Sequence, residues 1–154
     1  MSLQNASDDN IREWVLSFHK ASDSLKTTDL GKFYTKDGSL EFANNPLLIG
    51  LDAINASFAT VFPLLSSMKH EIVNLDTISN KIYQTCTITY VVRDDPQNRT
   101  IKIPAMGVFH LVAGADFRSG EPLIERFDVF LDGSEIFGII GEVQRLKVEG
   151  TRSG

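Results

Sequence analysis

The 154-residue sequence has one cysteine, no excess of basic residues and no long apolar run, and each shortage closes off a class of function. Cys86 alone can build neither a disulfide framework nor a cysteine-rich zinc site. Fifteen Lys and Arg stand against twenty Asp and Glu, a formal charge of −5. That balance argues against nucleic acid or an anionic membrane surface as partner, because both are held by basic patches. No stretch approaches the ~18 apolar residues of a membrane-spanning helix. The polar start does not read as a secretion signal, so a cytoplasmic protein is expected. The sequence carries no phosphate-binding glycine loop, metal-spaced cluster or nucleophile elbow, and no metal or cofactor is expected.

Large apolar side chains are plentiful. Ten Phe, three Tyr and one Trp join three Met, enough to fill an ordinary core or to line a cavity for an apolar ligand. At about one domain's length, the chain reads as a single domain over 11–146, with loose ends at 1–10 and 147–154.

Hydrophobic spacing sets the order of elements. Ile11, Trp14, Val15, Phe18 and Ala21 mark one face of a helix, introduced by Asp8-Asp9-Asn10. Thr27-Thr28-Asp29 opens a second, short helix carrying Leu30, Phe33 and Tyr34, ended by a turn at Lys36-Asp37-Gly38. Ser39 to Phe42 reads as a strand, and Asp52 to Met68 as a third helix that Pro63 kinks or shortens. Alternation then takes over, in strands at 71–77, 83–93, 101–112 and 123–131, with a loop over 113–122. On the second of these, Thr85, Thr87 and Thr89 share one face, and Cys86, Ile88 and Tyr90 the other. A closing helix spans 135–146, weakened by Gly138 and Gly141. Helices first and antiparallel strands after predict an α+β fold.

Several local strings carry a family likeness. Phe33-Tyr34-Thr35-Lys36-Asp37-Gly38 resembles the aromatic-rich YxxDA region of the nuclear transport factor 2-like superfamily, and Gly50-Leu51-Asp52-Ala53-Ile54 the opening of its third helix. Gly107-Val108-Phe109 and Ile124-Glu125-Arg126-Phe127-Asp128 resemble its paired strands. The chain is most similar to the SnoaL-like polyketide cyclase and limonene-epoxide hydrolase branches. The resemblance implies a cone of three N-terminal helices on a strongly curved, mostly antiparallel sheet, enclosing a pocket. It also implies a cofactor-independent isomerase, cyclase or dehydratase acting on a hydrophobic small molecule such as a polyketide or terpenoid intermediate. The alternative is a non-catalytic ligand-binding or dimerisation domain of the same fold.

The resemblance assigns Asp128 the role of catalytic acid or base, with Arg126 and Phe130 on its strand face pointing into the pocket. The competing reading of Asp128 is an ion pair with Arg126. Trp14, Phe18, Tyr34, Phe42, Phe58, Phe62, Cys86, Tyr90 and Phe109 are expected to complete the lining. Epoxide hydrolysis is not expected, because that family's Arg-x-Asp pair falls at Cys86 and Ile88 and its water-positioning Tyr and Asn at Leu40 and Phe42. The steroid-isomerase aspartate also falls near Phe42, and the cyclase histidine near Gly107. Strand parity puts His110 on the opposite face, while His19 and His70 are expected to be exposed. The threonine face, with His110 beside it, is a candidate homodimer surface.

Overall fold

The computed structural model describes residues 6–119 and 123–152; residues 120–122 of the expected 113–122 loop lie outside these. Helix α1 (Asp8–Asp23) is capped by Ser7, whose hydroxyl accepts from the Asn10 N–H at 3.1 Å. Asp8 and Asp9 lie in its first turn and Lys20 in its last, both favourable to the helix dipole. The second helix, α2 (Thr27–Leu30), passes through a 3₁₀ turn into strand β1 (Tyr34–Phe42). Tyr34 therefore starts a strand rather than ending a helix. The turn expected at Lys36-Asp37-Gly38 is an irregularity inside that strand, where the pairing with its neighbour slips between Tyr34 and Ser39. A two-residue strand, β2 (Leu48–Ile49), leads to α3 (Leu51–Val61). Gly50 stands at the head of α3 with φ of 91°, a conformation few other residues tolerate.

Pro63 shortens the third helix instead of kinking it. Phe62–Leu64 is a 3₁₀ turn and Leu65 already begins strand β3 (Leu65–Ile78), so Met68 belongs to a strand. Strands β4 (Lys81–Val92), β5 (Thr100–Leu111) and β6 (Ile124–Leu131) follow, then helix α4 (Ser134–Arg152). The chain is helical from Asp8 and again to Arg152, so helices reach into both ends expected to be loose, of which residues 1–5 and 153–154 lie outside the described ones.

The sheet runs β2-β1-β6-β5-β4-β3, antiparallel except for the β1–β6 pair. Alternation is cleanest on β4, where every even residue from Ile82 to Val92 is buried and every odd one half-exposed. The inner face meets the helices in one aromatic core. Phe109 stacks on Phe127 at 4.2 Å, and Trp14 and Phe18 meet Phe109 edge-on at 5.3 and 5.0 Å. Among the described residues no helix is long and apolar enough to cross a membrane.

Candidate functional site: an apolar cavity with two histidines in its wall

Between the helices and the inner sheet face lies a cavity of about 400 Å³. Seven of the residues expected to line it do so: Phe18, Tyr34, Phe42, Phe58, Phe62, Cys86 and Tyr90. So do Leu40 and Ile88, two positions where the resemblance called for polar groups. Trp14 and Phe109 stand one layer back, buried against Phe18 and outside the lining. Among the described residues no Asp, Glu, Lys or Arg lines the cavity.

Asp128, Arg126 and Phe130 are not in the cavity, which corrects the expected orientation of β6. Phe127, Val129 and Leu131 line it instead, and alternation sends their even-numbered neighbours to the outer face. There Asp128 accepts from Arg126 Nε at 2.8 Å, and its other oxygen lies 2.8 Å from His110 Nε2. Arg126 also reaches Glu41 at 2.8 Å, so the ion-pair reading of Asp128 describes the geometry. Phe130 is 60% exposed. His110 lies on the outer face, as its parity suggested.

Two of the polar residues that reach the cavity, His19 and His70, are ones expected in solvent; Ser22, Asn45, Ser57 and Gln84 line it as well. His19 on α1 is 3% exposed and His70 on β3 is half-buried, and both line the cavity. Their imidazoles stack nearly parallel, 4.5 Å apart with 11° between planes. Gln84, inward-facing on β4, accepts from His19 Nε2–H at 2.7 Å. Burial first, then the neighbouring His70, lowers the His19 pKa to about 4, so the ring is neutral at pH 7. Its Nδ1 is sealed from solvent without a partner.

His70 is held twice by one carboxylate. Asp23, at the end of α1, takes the His70 backbone N–H on Oδ2 at 3.0 Å and the ring Nδ1–H on Oδ1 at 2.5 Å. In its neutral form the ring then carries its proton on Nδ1, leaving Nε2 as a free lone pair. Nε2 hydrogen-bonds to no other described residue. A register shift between Leu65 and Ser67 makes this arrangement possible. It absorbs one residue, so that Leu65, Met68 and His70 all face inward.

Three further groups share the cavity: Tyr90 and Cys86 on β4 flank Ile88, the cross-strand partner of His70, and Tyr34 starts β1. Neither the Tyr34 nor the Tyr90 hydroxyl hydrogen-bonds to a described residue. Burial raises both phenol pKa values, keeping them neutral donors. The Cys86 thiol is pushed up to about 11, by burial first and then by Asp23, so it stays protonated and is not a nucleophile near neutral pH. Gly107 lets the wall close. A Cβ there would come within 2.9 Å of the Phe127 ring and 3.2 Å of Gln84 Nε2. Gly107→Ala is therefore expected to destabilise the fold by about 1–3 kcal/mol, the usual range for overpacking. The urea midpoint would show that loss, and an unchanged midpoint would mean that both neighbours yield freely.

No protein family matches the chain at the sequence level, and no curated protein does. Solved structures match closely in shape. One named as a SnoaL-like polyketide cyclase, from Jannaschia sp. CCS1, superposes with a TM-score of 0.67 at 16% identity, over 89% of this chain and 96% of that one. A protein with a ketosteroid isomerase-like fold from Catenulispora acidiphila DSM 44928, solved with trimethylamine, gives 0.67 at 14%, over 84% and 92%. The epoxide hydrolase/cyclase-like enzyme SalBIII of salinomycin pyran-ring formation gives 0.64 at 17%, over 81% and 93%. At these identities the likeness concerns shape alone, and it establishes that this chain adopts the nuclear transport factor 2-like fold.

Proposed function

We propose that the protein is a cofactor-independent isomerase, cyclase or dehydratase that moves a proton on an uncharged, mainly apolar molecule bearing a carbonyl group. The observation that carries this reading is His70, held at Nδ1 by Asp23, in the wall of a mainly apolar cavity that no charged Asp, Glu, Lys or Arg among the described residues lines. His70 Nε2 takes a proton from the carbon next to the carbonyl. The electron pair moves into the C=O group, and its oxygen gains negative charge. Tyr34 or Tyr90 donates a hydrogen bond to that oxygen, a group whose own pKa is raised and which therefore does not surrender its proton. Asp23 stabilises the imidazolium, which then returns the proton to another carbon or to a leaving oxygen. The fold shared with SnoaL-like and ketosteroid isomerase-like proteins supports this class of chemistry. A polyketide or terpenoid intermediate would suit the cavity's apolar walls.

The reaction can be sought without knowing the natural substrate. In D₂O, uncharged enolisable ketones of terpenoid or polycyclic type are expected to exchange their α-protons faster with the protein than without it, as followed by proton NMR. Saturable binding with no exchange across the panel would identify a carrier instead.

The outer sheet face belongs to the same proposal as the homodimer surface. Phe130 and Val73, 60% and 62% exposed, flank a shallow depression with Thr85, Thr87, Pro104 and Met106. A second copy meeting this face would cover them. Phe130→Asp is then expected to convert a dimer to a monomer in sedimentation velocity, and a monomeric parent protein would remove the proposal.

A further inference from the structure

We propose that the first two turns of α4, residues 134–141, are the door of the cavity and that ligands pass when this segment locally unfolds. The inference rests on the cavity receiving a small molecule and not on the proton transfer.

One face of these turns closes the cavity with Ile136, Phe137 and Ile140. Beside that face stand Gly138 and Gly141, both exposed, and a Cβ built on either would meet no atom within 4 Å apart from the helix's own backbone. Packing therefore gives no reason for glycine at these two positions. Their physical effect is to weaken the helix, since glycine is among the poorest helix formers. The weakening falls on the stretch that covers the cavity.

The segment is fixed on both sides. At its start, Asp132 Oδ1 accepts the Ser134 N–H at 3.0 Å, and the Gly133 carbonyl accepts the Phe137 N–H at 3.0 Å. Beyond it, Glu142 accepts from both terminal nitrogens of Arg99 at 3.2 Å. Arg99 is itself gripped by the buried Asp95 through two bonds of 3.0 Å. One turn further on, Lys147 meets Asp94 at 2.7 Å. The rest of α4 is thus tied to the β4–β5 hairpin, while the covering turns between the anchors carry glycine at two of their exposed positions. Such a segment opens locally at a fraction of the free energy of global unfolding.

The test is the double variant Gly138→Ala/Gly141→Ala, whose added methyl groups meet no side chain within 4 Å. Each alanine is expected to lower the open population about fivefold, and both together about 25-fold. Hydrogen exchange of amides 136–141 should slow by that factor. Stopped-flow fluorescence with the neutral probe N-phenyl-1-naphthylamine should show association and dissociation slowed alike, with an unchanged Kd. Slowed exchange with unaltered probe kinetics would overturn the door, because ligand would then enter elsewhere, for example past Asn45 and Pro46. A changed Kd would also overturn it, since the cavity itself would have been altered. Failure of the parent protein to bind the probe would sink both the door and the apolar-ligand reading. Gated binding without α-proton exchange would leave the door standing and remove only the catalysis.

Discussion

Replacing His70 by alanine is expected to slow ketone α-proton exchange by roughly 10²–10⁴-fold, the usual contribution of a positioned acid or base. The Kd for N-phenyl-1-naphthylamine should stay within about threefold, a change of under 1 kcal/mol. Asp23→Asn is expected to approach the same loss of exchange. Asp23 accepts two N–H donors and asparagine has one oxygen; with that oxygen on the His70 backbone N–H, its NH₂ group meets Nδ1 and favours the tautomer whose Nε2 is protonated and therefore useless as a base. It also leaves the imidazolium without its counter-charge. Asp128→Asn separates this reading from the one the resemblance suggested. Asp128 lies on the outer face with Arg126 and His110, so its replacement should leave exchange unchanged. Loss of exchange in Asp128→Asn with retention in His70→Ala would reverse the assignment.

The order of elements was legible because the strongest local signals agree with the tertiary structure. From Thr85 to Tyr90, strand β4 alternates between a threonine face and an apolar face, and the structure buries the apolar one. Strand β6 was ambiguous by pattern because Phe130 sits among the charged residues. Two of the three residues Arg126, Asp128 and Phe130 are charged, while Phe127, Val129 and Leu131 are uniformly apolar. The desolvation cost of two charges decides the direction, even though it leaves a phenylalanine 60% exposed. That arithmetic was available in the sequence and conflicts with the family resemblance. His19 was also within reach. It lies four residues after Val15 and three before Ser22, inside the buried stripe of α1, and its type alone suggested solvent. His70 was not within reach. Its inward direction depends on the register shift near Ser66 and on Pro63 ending α3 early, and neither leaves a periodic trace. The Asp23 contact crosses 47 residues of sequence and follows from topology alone.

Acid should destabilise this protein through His19 before most carboxylates protonate. The ring is buried and neutral, and its pKa falls from 6.5 to about 4 on folding. Above pH 6.5 neither the folded nor the unfolded state holds the extra proton, and His19 contributes no pH dependence. As the pH falls from 6.5 towards 4, the unfolded chain binds a proton that the folded one refuses. Unfolding is favoured progressively, and the loss is complete below about pH 4. A shift of that size corresponds to about 3 kcal/mol, a large part of the 5–15 kcal/mol typical of a domain. Asp94, Asp95 and Asp132, whose pKa values are lowered, add their own losses at still lower pH, because their stabilisation disappears only as carboxylates protonate. His19→Gln isolates the effect. A glutamine can keep the hydrogen bond to Gln84 but does not titrate. The stability difference between the parent and His19→Gln proteins, from urea unfolding at pH 7 and pH 4.5, should therefore shift by about 2–3 kcal/mol in favour of the variant at the lower pH. The comparison is a difference between two proteins at two pH values, so any fixed destabilisation by the substitution cancels. Equal pH slopes would mean that His19 takes up its proton in the folded state. Its stack on His70 would then be a pair able to share charge, which would change which imidazole serves as the base.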